Sequence, residues 1–450
     1  MNDHYFIPDR SGRDVLFTPD FTPNELSQRR HTIAATVGAG AHLLIASAPP
    51  VPHDERVQDA NFYYFTGLGT CHTFLLVDGG SGRSRLFLPS RDTMDGEPGN
   101  RLGFEDADLI RERVGVDEVA ATTELAAALA GVNTLFVPQA EVEGGGATRF
   151  VANACAKRRA EHEWDQAEPS HQRLIRLLRE RFPGLAIQDA CPLISAMRTI
   201  KSRAEIAVLR QAGALAAAAV TEAMKVCRPG TVENRLQAVA EYVFRDCGHC
   251  RAGYGIIVAG GPRTWDGHYH DNNATLGDDQ IVLMDCGPDL RHYTSDIARI
   301  WPVNGVFDPW HRRVYGFIVE YHKTLLGLIR PGALPADIYR EADRRMATLC
   351  ADADAPYHDL KPLFERMVKR GVRYINHAVG LSVHDAVGPW RDEPLREGFV
   401  GVVDPMVWCD PPREYIRVED TIVVTADGCE RLTGAAPVEI ADIEALLRQR

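Results

Sequence analysis

The 450-residue sequence is poor in cysteine, with ten, and lacks the two paired C-x-x-C hooks of a zinc ribbon. Cys247 and Cys250 come nearest and stand alone. At this dilution a disulfide framework is excluded, and the thiols read as reduced and structural. A basic excess is also missing: 50 Lys and Arg stand against 62 Asp and Glu, a net charge of −12. That balance argues against a nucleic-acid backbone or an anionic membrane surface as partner. Long apolar runs are absent too. The least charged stretch, 31–53, is interrupted by Gly38, Gly40, Pro49 and Pro50, which a membrane span of about 20 apolar residues rarely tolerates together. The first thirty residues hold no continuous apolar core, so a secretory signal is not expected and a cytoplasmic location is. Gly144 to Gly146 are followed by no G-K-[ST], which removes the phosphate-loop reading.

What is present is an ordinary globular composition, 45% apolar and 25% charged. The length predicts two domains. In the first third, Asn24 to Val37 reads as helix. Leu43–Ala48, Phe62–Phe65, Phe74–Val77, Leu86–Pro89 and Thr134–Val137 read as short buried strands, which predicts a small α/β domain over residues 1–175. The charged segment from Ala160 to Phe182, with an apolar stripe at Leu174, Leu177 and Leu178, reads as a connecting helix.

Over 176–450 the pattern becomes α+β. Ser202 and Glu205 form a capping box ahead of a long Ala- and Leu-rich helix that ends near Arg228-Pro229-Gly230, and a second helix spans Val232 to Cys247, burying Leu236, Val239 and Val243. Strands are expected at Gly255–Ala259, Gln280–Asp285 and His292–Pro302. Helices follow at Trp310–Leu328 and Pro335–Leu349, then strands at Leu381–His384, Val400–Trp408 and Tyr415–Thr425. The final helix is Ile440–Leu447. Two helices then strands, twice over, read as a duplicated ααβ unit.

Carboxylates inside apolar strands carry the chemistry, because an ionised group there must be paired or bound to a cation. Asp285 ends Ile281-Val282-Leu283-Met284, and Asp296 lies in Ser295-Asp296-Ile297-Ala298. Pairing with Arg291 or Arg299 would also satisfy them. Asp404 and Glu419 sit in further apolar strands, and His377 and His384 flank a Gly-containing apolar stretch. Four carboxylates with one imidazole suit hard divalent ions, Mn²⁺ first, with Co²⁺ and Zn²⁺ as further candidates. A pair of such ions would hold a hydroxide suited to attack an amide carbonyl.

The strings Leu283-Met284-Asp285-Cys286-Gly287, Ser295-Asp296-Ile297-Ala298-Arg299, Asn376-His377 to His384-Asp385 and Ile416-Arg417-Val418-Glu419-Asp420 resemble the metal-site motifs of aminopeptidase P and prolidase, the pita-bread metallopeptidases. The resemblance extends upstream through Gln28-Arg29-Arg30, Asn61 to Gly67, Ile200-Lys201-Ser202, Cys227 to Gly230 and His268-Tyr269. It implies a pita-bread catalytic domain behind a smaller α/β domain, and a peptide or small amide as substrate. By the same resemblance Asp285, Asp296, His377, Asp404 and Glu419 bind two metal ions, with Asp296 and Glu419 bridging. His268 and His384 handle the substrate and the tetrahedral intermediate, Arg417 lies beside the bridging Glu, and Asp404 moves a proton. The implied activity is Xaa-Pro aminopeptidase-like, in a homodimer or homotetramer. Hydrolysis of another C–N bond, as in prolidase or creatinase, and a noncatalytic binding protein are the alternatives. Three features depart from the family pattern: Asp404-Pro405-Met406 stands where the family has Glu-Pro-Gly, Arg373 replaces a substrate-facing His, and the segment from Asp404 to Glu419 is short.

Overall fold

The computed structural model describes residues 12–49, 58–91, 102–140, 149–246, 250–351, 356–371, 374–385 and 388–449. They form two compact units, Pro8–Arg198 and Thr199–Arg450. Gly144 to Gly146, Cys247 and Arg373 lie outside the described residues.

In the first unit, strands β1 (Ala41–Ala46), β2 (Phe74–Asp78), β3 (Ser84–Leu88), β4 (Glu118–Ala121), β5 (Thr134–Val137) and β6 (Ala186–Asp189) form one mixed sheet in the order β4-β3-β2-β1-β5-β6. The division from the second unit falls later than 175 because the sequence just beyond it completes this sheet. Helix Ser170–Arg181 packs Leu174, Ile175 and Leu178 onto Leu44, Phe87 and Leu135, and β6 pairs with β5. Leu174 and Leu178 of the expected stripe therefore face the core of the first unit, while Leu177 is exposed, and the helix is not a connector.

The run Phe62–Phe65 is also helix, within Ala60–Thr66, although its aromatic content favours a strand. The Asp59 side chain accepts from the Phe62 N–H at the start, and Gly67 ends the helix in the left-handed conformation. Its last carbonyls are bound by buried arginines: Arg29 donates to Tyr64 O at 2.9 Å and Arg30 to Phe65 O at 2.7 Å. The upstream motif Gln28-Arg29-Arg30 is thus a scaffold element.

The second unit opens with the capped helix Arg203–Val226: Ser202 Oγ accepts from Glu205 N–H, and Glu205 Oε2 accepts from Ser202 N–H. By length and composition this helix could cross a membrane, but 56% of its apolar window is buried, as in a core helix. Helix Glu233–Asp246 follows, burying Leu236, Ala240 and Phe244, one turn apart, where Val239 and Val243 had been expected beside Leu236.

The strands are β7 (Arg251–Ala252), β8 (Ile257–Gly260), β9 (Ile281–Cys286), β10 (Pro288–Leu290), β11 (Tyr293–Thr294) and β12 (Ile297–Pro302). Helices Pro309–Leu326, Pro335–Ala351 and a further one, Lys361–Arg370, precede β13 (Ile375–Ala378), β14 (Val400–Val403), β15 (Met406–Cys409), β16 (Glu414–Arg417), β17 (Glu419–Val424) and β18 (Cys429–Arg431). Helix Ile440–Arg448 closes the unit.

The main sheet runs β13-β14-β17-β12-β9-β8, with β18 also on β17. Two expectations change here. The strand near His377 is β13, not Leu381–His384, which turns back after Gly380. The long strands expected around Asp404 and Val418 each break there, so β15 and β16 leave the main sheet as a separate hairpin.

Candidate metal centre

Sheet register assembles the centre. In β12, Ala298 lies opposite Asp285 of β9 on one side and opposite Glu419 of β17 on the other. Residues directly opposite share a face, so both carboxylates emerge beside the small Ala298 side chain, and Asp296, two residues earlier, projects the same way. Asp296 is fixed by Thr421, whose hydroxyl accepts from the Asp296 N–H at 2.9 Å and donates to its carbonyl at 2.8 Å. Gly287 lets this strand pass closely, since a Cβ there would lie 1.8 Å from Ser295 O. His377 comes from β13, where the register with β14 is irregular, and Asp404 sits just past the end of β14.

All five candidate ligands are buried: Asp285, Asp296, His377, Asp404 and Glu419 are between 0% and 8% exposed. Donor atoms of Asp296, His377 and Glu419 lie within 4.8 Å of one another. His377 Nε2 is 3.4 Å from Asp296 Oδ2. Glu419 Oε1 is buried and has no hydrogen-bond partner among the described residues. An unpartnered buried carboxylate oxygen converging with a second carboxylate and an imidazole is a donor set that a divalent cation fits.

Arg417 occupies the other half of the cluster. Its Nε and Nη2 meet Asp404 Oδ1 and Oδ2 at 2.9 and 2.8 Å, Nη1 meets Asp285 Oδ2 at 2.8 Å, and Nη2 also donates to Glu419 Oε2. The Tyr254 hydroxyl sits between Asp285 Oδ1, at 2.8 Å, and Asp296 Oδ1, at 2.6 Å. The partners of the first two aspartates are thus Tyr254, Arg417 and His377, while Arg299 turns to Asp420 at 2.7 Å.

Tyr254 and Thr421 were not among the residues singled out in the sequence. Tyr254, between two glycines, carries no periodic signal there, and Thr421 reads as an ordinary strand residue.

The electrostatics follow from burial. Burial and the neighbouring Asp296 push Asp285 up to about 7 against the pull of Arg417. Burial likewise raises Glu419 well above the carboxylate range. Burial would raise Asp296 too, but the hydrogen bond and charge of His377, with Arg417, outweigh it and lower the pKa. Arg417 is opposed by burial, yet Asp404 and Glu419 hold it firmly charged.

His384 packs edge-on against His377 with ring centroids 4.3 Å apart. His268 is exposed but its ring is partly buried, and that partial burial, with the charges of Arg417, His270 and His384, lowers its pKa below 6.5. A neutral imidazole at pH 7 can accept a proton.

A sheet of this topology around a buried carboxylate–imidazole cluster is the pita-bread architecture, and the centre is one built for divalent metal. The sequence profile of metallopeptidase family M24 matches residues 207–426. The chain is 32% identical to the Xaa-Pro aminopeptidase of Escherichia coli K12, over 95% of this chain and 98% of that protein. It is 30% identical to the Xaa-Pro aminopeptidase of Haemophilus influenzae, over 96% and 99% respectively. The chain belongs to metallopeptidase family M24.

Among solved structures, E. coli aminopeptidase P with the inhibitor Pro-Leu superposes with a TM-score of 0.76 at 28% identity, covering 96% of this chain and 100% of that one. Proline aminopeptidase P II from Yersinia pestis matches equally, with a TM-score of 0.76, 28% identity and the same coverage. A zinc-substituted form of the E. coli protein in complex with product also matches, at a TM-score of 0.76 and 28% identity over 95% of this chain and 99% of that one.

Proposed function

We propose that this chain is a metal-dependent Xaa-Pro aminopeptidase, releasing an N-terminal residue that precedes proline from a peptide. The observation that carries the reading is the incomplete Glu419 carboxylate facing Asp296 and His377, on a chain whose relatives of nearly equal length are named Xaa-Pro aminopeptidases. Asp296, His377 and Glu419 would hold the ion, and the carboxylate-rich set favours Mn²⁺. When bound, the ion supplies Lewis acidity toward the scissile carbonyl and the attacking water.

The protein groups do the rest. Tyr254 and Thr421 keep Asp296 oriented toward His377, so the donor set is fixed before substrate arrives. Arg417 neutralises the carboxylates that crowd the floor of the site. His384, against His377, is the residue to donate a hydrogen bond to the oxyanion, and His268, held neutral, is the one to accept a proton. The metal-free creatinase route would leave Glu419 Oε1 buried and uncompensated, which disfavours it.

The test is hydrolysis by Mn²⁺-loaded protein of matched peptides Ala-Pro-Ala and Ala-Ala-Ala. Cleavage after the first residue of the Pro peptide alone supports the reading. Preference for the Ala peptide, or turnover of neither by protein that holds metal, overturns it.

A further inference from the structure

The sequence motifs imply five ligands and two ions, but the side chains do not converge that way. Asp404, at the position where the family has Glu, gives both of its oxygens to Arg417 in a side-on fork at 2.9 and 2.8 Å. Asp285 is engaged at both oxygens as well, by Tyr254 at 2.8 Å and by Arg417 at 2.8 Å. Among the described residues a single triad of donors comes within ion-binding reach, Asp296, His377 and Glu419, and neither Asp285 nor Asp404 belongs to it.

Arg417 is 7% exposed and its guanidinium bridges Asp285, Asp404 and Glu419. An arginine cannot shed its charge inside a protein, so it is a permanent monovalent cation in contact with three of the five candidate ligands, Asp285, Asp404 and Glu419.

Resting on the metal-centre reading above, we propose that this chain binds one divalent ion, through Asp296, His377 and Glu419, and that Arg417, clamped by Asp404, takes the place of the second ion as an internal counter-cation. The missing methylene is the physical cause. A Glu at 404 would carry its carboxylate about 1.5 Å further, one C–C bond, away from the position in which both Asp404 oxygens meet the guanidinium. The Asp carboxylate stops short and finds the Arg417 fork, which matches its planar geometry and holds it more tightly than a single contact would. Asp404 is therefore a positioning residue for Arg417 and not a metal ligand. A second ion could enter only by displacing a buried guanidinium from three carboxylates, and like charge opposes its approach.

Metal content and Mn²⁺ electron paramagnetic resonance of the metal-stripped, reloaded full-length protein test this without reference to turnover. The expected result is one equivalent at saturation with the hyperfine-split signal of an isolated Mn²⁺. Asp404→Asn, which keeps the side-chain length but only one of the two acceptors of the fork, should weaken that ion by about ten- to a hundredfold, as an outer partner does, whereas Asp296→Asn should weaken it by well over about a hundredfold. Asp404→Glu should admit a second equivalent and give the exchange-coupled signal of a pair.

Two equivalents with a coupled signal in the natural protein would overturn the proposal while leaving the metal-centre reading intact. So would a loss of the first ion in Asp404→Asn as large as in Asp296→Asn. No bound ion in the natural protein would overturn both.

Discussion

Glu419 and Asp420 are consecutive residues of β17, both fully buried, and they point to opposite faces of the sheet. On its face Asp420 is complete. It accepts from Arg299 at 2.7 Å and from the Thr433 hydroxyl at 2.5 Å, faces His322 Nε2 at 3.1 Å, and has Arg431 at 3.4 Å. Burial alone would raise its pKa, but Arg299 and His322 overwhelm that and hold it far below the carboxylate range. Glu419, one residue earlier, has Arg417 on one oxygen and no hydrogen-bond partner among the described residues on the other, and its pKa is driven up. Where the protein supplies every partner, a buried carboxylate is structural. Where one oxygen is left without a partner among the described residues, as at Glu419, the carboxylate is available as a donor to a cation.

Removing the complete carboxylate should have the largest effect. Asp420→Ala strands the Arg299 guanidinium, which is fully buried, and breaking such a pair costs about 3–5 kcal/mol. Urea unfolding should register that loss equally with and without Mn²⁺. A cost that appears only in metal-loaded protein would place Asp420 in the centre and erase the contrast.

Glu419→Gln should do the reverse. Without metal the variant should be at least as stable as the natural protein, because one of several crowded like charges is gone. It should also lose the metal-induced gain, about 2.7 kcal/mol for an ion at a hundred times its Kd. Thermal melts with and without Mn²⁺ read both. An undiminished metal shift would count against Glu419 as ligand.

The sequence pointed to Asp285 and Glu419 as candidates, because carboxylates inside apolar strands are costly wherever they fold and the matched motifs supply their order, but it gave Asp420 no role of its own. The capping box at Ser202 and Glu205 was equally plain, being purely local. What could not be read depends on partners far along the chain. The helix Ala60–Thr66 is set by Asp59, Gly67 and arginines some thirty-five positions away. The late end of the first unit depends on β6 finding β5. That Arg417 forks onto Asp404, and so changes what Asp404 can do, depends on the β15–β16 hairpin leaving the main sheet, which no alternation of apolar residues foretells.

Tyr254→Phe sharpens the comparison from the incomplete side. Its hydroxyl is a neutral donor set between Asp285 and Asp296, and leaving buried acceptors short costs about 1–3 kcal/mol. Because Asp296 loses its orientation as well, Mn²⁺ affinity by calorimetry should fall together with stability. An affinity unchanged while stability falls would make the tyrosine purely structural.

The smallest expected effect concerns a third buried carboxylate, Glu414 of β16, whose partner can titrate. His311 Nε2 lies 2.8 Å from Glu414 Oε2, and Nδ1 contacts Asp308. Burial would lower the His311 pKa, but the two carboxylates outweigh it and raise it. A histidine raised on folding contributes stability that is full below its unfolded pKa of about 6.5 and is lost as pH rises through the folded value. With Asp308 half exposed, the contribution is under about 1 kcal/mol. His311→Gln should therefore lower the Tm more at pH 5.5 than at pH 8.5, and an equal or opposite difference would refute the sign.

The most direct test is an anomalous difference map at the manganese edge from a crystal of the Mn²⁺-loaded protein. One peak is expected, within bonding distance of Asp296, His377 and Glu419, with Arg417 still forked onto Asp404. A peak lodged between Asp285 and Asp404, a pair of peaks, or none beside Glu419 would contradict it.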